Sequence, residues 1–296
     1  MTSQDSTVAD LNDLASSPSL PYLLGVIVVG GALGVLIAFA GRDEVPDNFM
    51  VWAAVAVALT AAAGVVAIGG WVTWRSLVRI WPGEVSSDLA LAGGVLFLVL
   101  AAVALSFSLP TDTSLRGTLL IGVATLAAVP AVMAMARVST IASRAKTDKP
   151  AVVDTFLSLR RVLGRQLRGL GALVALATLA LAVSPFTAGL SSGGEPFGGG
   201  AVLVLGGVGS AIVAVAYVPV ALTLRNAVHA LANTLFPMPR HDGQSDVGGS
   251  VLECLENRQN LTKLIMGERG IYGELVESLV VAGPLLTAAI GTYVTG

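Results

Sequence analysis

The sequence predicts an all-α, polytopic transmembrane helical bundle: six spans, a seventh apolar run at the C-terminus, and a short helical tail on the cytoplasmic side. Three observations predict it. Composition is the first: 54% of the 296 residues are hydrophobic before the 34 glycines are counted, and 12% are charged. Soluble domains reach only about 45–50% apolar residues with glycine included, and carry about 25% charge. The second is the recurrence of uncharged runs near the ~20 residues that cross a ~30 Å hydrocarbon core. The third is charge placement, since fifteen of the seventeen basic residues fall in alternate loops and the tail. The same composition excludes disorder, which needs low hydrophobicity and high net charge. A disulfide framework is excluded too, because Cys254 is the only cysteine.

Residues 1–20 form an N-terminal segment with Asp5, Asp10 and Asp13 and no basic residue. Ala38, Phe39 and Ala40 imitate a signal-peptidase site, but a signal peptide begins positively charged and has a shorter apolar core. The first run is therefore read as a retained helix. The six spans are 21–40, 51–73, 89–109, 117–136, 169–190 and 200–224. Together they make a six-span domain over 21–224. Short loops join them in pairs as helical hairpins. In each pair the second helix is expected to run on past the membrane face, through Arg75, Arg137 and Arg225. That recurrence fits a three-fold hairpin repeat. It equally fits the general rule that an inward-running span ends in a basic residue.

The loop 137–168 holds eight basic residues. Within it Val152, Phe156, Leu159, Leu163, Leu167 and Leu170 recur at helical spacing, opposite Asp154, Ser158, Arg161, Arg165 and Arg168. Such a basic amphipathic helix can lie on the inner leaflet, where Arg160, Arg161, Arg165 and Arg168 would meet anionic lipid or a protein partner. The plainer reading is a topology anchor with a solvated face. Nucleic acid is not an expected partner, since Phe156 alone makes no stacking platform.

The tail, 225–277, opens with an amphipathic continuation to Phe236 and a connector over 237–249 rich in proline and glycine. Ser250 with Glu253 reads as a capping box opening a helix. Its apolar stripe is expected to be Val251, Leu252, Leu255, Leu261, Leu264 and Ile265, with Glu253, Glu256, Arg258 and Lys263 on the charged face. The stripe has two possible partners, the overhanging helices or another protein. The run 278–295, with Pro284, is read as a seventh span within 278–296, or else as a re-entrant helix shielded by protein.

No expected span carries an ionisable residue in its interior, which counts against ion-coupled transport of charged substrates. The intramembrane hydroxyls Thr60, Ser106, Thr125, Ser184, Ser210 and Tyr217 are expected to be satisfied within the bundle. His229 and His241 are the only histidines, too few for a zinc or bis-histidine haem site. Cys254 has no evident base beside it. No catalytic, cofactor or metal residue is therefore expected. Gly30 with Gly34, and Gly206 with Ser210, have the small-xxx-small spacing of close helix crossings or of self-association.

The charge pattern places the N-terminus and the even loops in the cytoplasm, and a seventh span would place the C-terminus outside. The functional expectation is a non-enzymatic integral protein of the cell membrane, a structural or scaffold subunit of a larger assembly. The alternative is a channel or permease for an uncharged or hydrophobic solute. The net charge of −2 conceals a basic inner face balanced by an acidic exterior, an acidic N-terminal segment and an acidic tail.

Overall fold

The computed structural model describes residues 20–39, 49–108, 115–145, 151–182, 199–237 and 247–266. Among these the chain forms seven helices and no strand. They are α1 (Leu20–Phe39), α2 (Phe49–Ile80), α3 (Ser86–Ser108), α4 (Leu115–Arg144), α5 (Ala151–Ala182), α6 (Gly199–Leu235) and α7 (Val247–Met266). Five stretches are long and apolar enough to cross a membrane: Pro21–Phe39, Phe49–Ile80, Leu119–Arg144, Val152–Leu181 and Gly206–Leu235. α3 contributes the shorter apolar stretch Ser86–Val99. The molecule is a helical membrane protein. The seventh apolar run, 278–296, lies outside the described residues, as does most of the N-terminal segment 1–20.

α2 and α4 pack on each other at the centre. α1 flanks α2, α3 flanks α4, α5 closes the bundle against both, and α6 packs on α3, α4 and α5. Lipid tails are as apolar as leucine, so association inside a membrane depends on close packing, and small residues at crossings provide it. A side chain at Gly70 would place its Cβ 2.5 Å from the backbone nitrogen of Ala131 and 2.7 Å from the carbonyl carbon of Pro130. The α2–α4 crossing is thus backbone on backbone. The spacing of Gly30 and Gly34 serves the α1–α2 crossing in the same way: a Cβ on Gly30 would stand 2.6 Å from the Thr60 carbonyl oxygen, and one on Gly34 would meet Thr60 and Val57. At the α5–α6 crossing it is Gly209, beside buried Gly206 and Ser210, that meets Val174.

Two apolar cores are stacked along the bundle. One gathers Phe49, Trp52, Leu59, Leu120 and Leu173. The other gathers Leu77, Met135, Ile141, Phe156, Leu167, Leu224 and Leu231 near the end where α2, α4 and α6 finish. The predicted overhangs are present: α2 continues to Ile80, α4 to Arg144 and α6 to Leu235. At 1.5 Å per residue α6 alone is about 55 Å long, well beyond the hydrocarbon thickness.

Several expected boundaries are corrected. The loop 137–168 is not a loop, because α4 runs to Arg144 and α5 begins at Ala151. Its amphipathic stretch is the first half of α5 and continues without a break into the fifth span. Phe156, Leu159, Leu163, Leu167 and Leu170 are all buried in the second core, so this helix stands in the bundle and does not lie on a leaflet. Gly169, where a boundary was expected, packs tightly on Val66 and is held helical by that contact. α6 continues through Arg225 to Leu235, as expected, but α7 starts earlier than expected, at Val247. Ser250 is therefore inside the helix and not its cap, and the connector is shorter than 237–249.

Candidate functional site

The last carbonyls of a helix have no partner within it and carry the negative end of its dipole, so a cation there satisfies both. At the arginine-rich end of this bundle, arginines from neighbouring helices do this three times. Arg137 of α4 donates through Nη2 to the carbonyl of Trp81, just past α2, and through Nη1 to the carbonyl of Glu84 at 3.0 Å. Arg258 of α7 donates from Nε to the carbonyl of Phe236, just past α6, at 2.7 Å. Arg160 of α5 donates to the carbonyl of Ile265 near the end of α7 at 3.0 Å.

Arg137 is the centre of the most buried polar cluster. Its side chain is 2% exposed and that of Asp88 is 0% exposed, and the two approach to 3.6 Å. Asp88 sits in the first turn of α3, where an acidic group favours the helix dipole. Its Oδ2 also accepts from the indole of Trp74 on α2 at 3.2 Å. One cluster therefore joins α2, α3, α4 and the α2–α3 connection. Asp88 immediately precedes the charge-free run of α3, which begins at Leu89. Burial pushes its carboxyl above the ordinary carboxylate range, against the opposing pull of Trp74, Arg137 and Ser87. Asp88 Oδ1 and Arg137 Nε are buried without a partner among the described residues.

The four arginines expected to contact lipid or a partner separate into two roles. Arg160 is half-buried and turned to the tail helix, whereas Arg161, Arg165 and Arg168 are exposed on the outer face of α5. Arg165 Nη2 and Gln166 Nε2 both approach Thr73 Oγ1 at 3.4 Å, which ties α5 to α2 at that depth. Trp71, two residues earlier on α2, is 48% exposed.

The tail helix packs differently from its predicted stripe. Ile265 is buried and Leu261 packs beside it on the second core, but Leu252, Leu255 and Leu264 are exposed. Arg258, expected on the charged face, turns inward instead. There it meets the carbonyl of Phe236, which accepts from Arg258 at 2.7 Å and from the Cys254 thiol at 3.2 Å. Asp88, Trp74, Arg137 and Arg258 were missed as site residues because sequence presents them as ordinary loop and tail charge. One trace was available: Arg137 is followed by Val138 and Ile141, so the apolar face continues past it and the charge is enclosed.

The fold and this arginine-capped end define an all-helical membrane protein with a structured polar face. No family model, curated protein or solved structure matches the chain.

Proposed function

We propose that the protein is a non-enzymatic structural or scaffold subunit of a larger membrane assembly, with its arginine-rich end as the cytoplasmic contact face. One observation carries this reading: the buried charged cluster among the described residues is spent on joining helices. Thr60, Thr125 and Thr178 each donate to a carbonyl of their own helix, and Ser210, expected to be satisfied within the bundle, is buried without a partner among the described residues. Asp88 and Arg137 bind neighbouring elements together. Cys254 donates to the Phe236 carbonyl, an arrangement that anchors the tail. Native mass spectrometry of the protein solubilised from its source should find it with a stoichiometric protein partner. A lone monomer, with no partner retained under mild extraction, would refute the proposal.

The proposed orientation follows from the positive-inside rule. In a Cys254→Ser background, an impermeant thiol reagent applied to intact cells should label Ser192→Cys and spare Ser245→Cys. The reverse pattern would invert the assignment.

A further inference from the structure

Arg161, Arg165 and Arg168 follow one another at helical spacing along the exposed face of α5. Their depth is set by α2, where the charge-free run that began at Phe49 ends at Trp74 and Arg75. Tryptophans in such a position mark the headgroup level of a bilayer, and half-exposed Trp71 meets Trp74 in a tilted ring contact with centroids 5.1 Å apart. Arg165 reaches Thr73 in the middle of this short segment. Arg165 therefore stands at the headgroup level, with Arg161 about one turn farther out and Arg168 about one turn deeper, where its neighbour Gly169 packs on Val66.

The row is also built at its base. Thr73 is buried, donates to the Gly69 carbonyl at 2.7 Å, and lies beside buried Gln166. This places the Arg165 guanidinium on the seam between α2 and α5. Exposed Val72 and Trp71 provide apolar surface on α2 near that level, suited to an acyl chain. The carboxylate on the same face, Asp154, is also exposed, but it precedes Arg161 by about two turns and so lies farther from the membrane. A guanidinium matches phosphate oxygens in fork geometry.

We propose that this row is a binding site for an anionic phospholipid of the adjacent leaflet, the phosphate held by Arg165 and Arg168 and the acyl chain lying against α2. The site needs only the membrane embedding of the fold and is independent of the scaffold role. It differs from a helix lying on the leaflet, because the apolar face of α5 is committed to the core and only its arginines meet lipid.

The test uses the full-length protein in phosphatidylcholine nanodiscs with graded phosphatidylglycerol, read by lipid retention in native mass spectrometry and by thermal unfolding. Wild type should retain phosphatidylglycerol selectively and gain thermal stability from it. Each of Arg165→Gln and Arg168→Gln should weaken retention about five-fold, and the double variant about twenty-five-fold. Arg168→Gln should unfold in pure phosphatidylcholine as wild type does, which separates lost binding from lost folding. Arg144→Gln, removing an exposed arginine at the same end, should leave retention unchanged. Equal loss in Arg144→Gln would reduce the effect to general surface attraction and overturn the site. Competition by inorganic phosphate as effective as by lipid, or displacement of the lipid by an acidic protein from the source, would overturn it as well.

Discussion

Replacing Arg137 with methionine is expected to destabilise the bundle by about 3–5 kcal/mol, the usual consequence of removing one partner from a buried charged pair. The loss has two parts. Asp88 would be left buried with the Trp74 indole as its remaining strong partner, and the carbonyls of Trp81 and Glu84 would lose their donor. Since these groups hold the start of α3 and the end of α2, that end of the bundle should open first. Thermal unfolding in detergent should show a large fall in midpoint. The double variant Arg137→Met with Asp88→Leu should recover part of it, because no charge is then stranded, but not all, because the two carbonyls remain uncapped. A midpoint equal to wild type for Arg137→Met would show that the cluster contributes nothing.

Adjacent glycines of α2 supply the second large effect. Gly70→Ala would drive a methyl into the backbone of Pro130 and Ala131, the nearest atom at 2.5 Å, and neither strand of backbone can yield without moving a whole helix. Overpacking of this kind costs about 1–3 kcal/mol, and Gly70→Leu should separate α2 from α4 altogether. At Gly69 a Cβ would meet nothing within 4 Å. Gly69→Ala should therefore be neutral or stabilising by up to about 1 kcal/mol, the intrinsic preference of a helix for alanine over glycine. The pair is measured side by side by thermal unfolding. Similar outcomes for the two variants would refute the α2–α4 crossing.

Much of the fold is legible in residue order because a bilayer imposes a length and a polarity on any helix that crosses it. The runs around Val28, Val57, Phe97, Leu126 and Val213 announce helices for that reason. The overhangs of α2, α4 and α6 are legible because the apolar pattern continues past Arg75, Arg137 and Arg225. The amphipathic face of α5 is legible from its period. What residue order hides is which surface each face meets. The arginines after span four could as well belong to a loop, and only the burial of Phe156, Leu159 and Leu163 in the second core makes α5 one upright helix. The tail helix misled for a related reason: its leucines are spaced for burial, but it packs with Ile265 inward and Arg258 on the Phe236 carbonyl, with Leu252 and Leu264 outside.

The candidate site divides along the same line. Arg161, Arg165 and Arg168 can be identified as an outward basic face from spacing alone, because periodicity within a helix is local. Arg137, Asp88 and Trp74 cannot, since 49 residues separate the ion pair and its geometry depends on how three helices cross.

By itself, then, the sequence determined that this is a helical membrane protein, where most of its helices lie and which end is basic, because hydrophobic length and charge are properties of a segment taken alone. Tertiary structure decided which arginines are buried as helix caps and which face outward, and which glycines must remain glycine. Those outcomes rest on distances between helices, and carbonyls at a helix end acquire a partner only when another helix brings one.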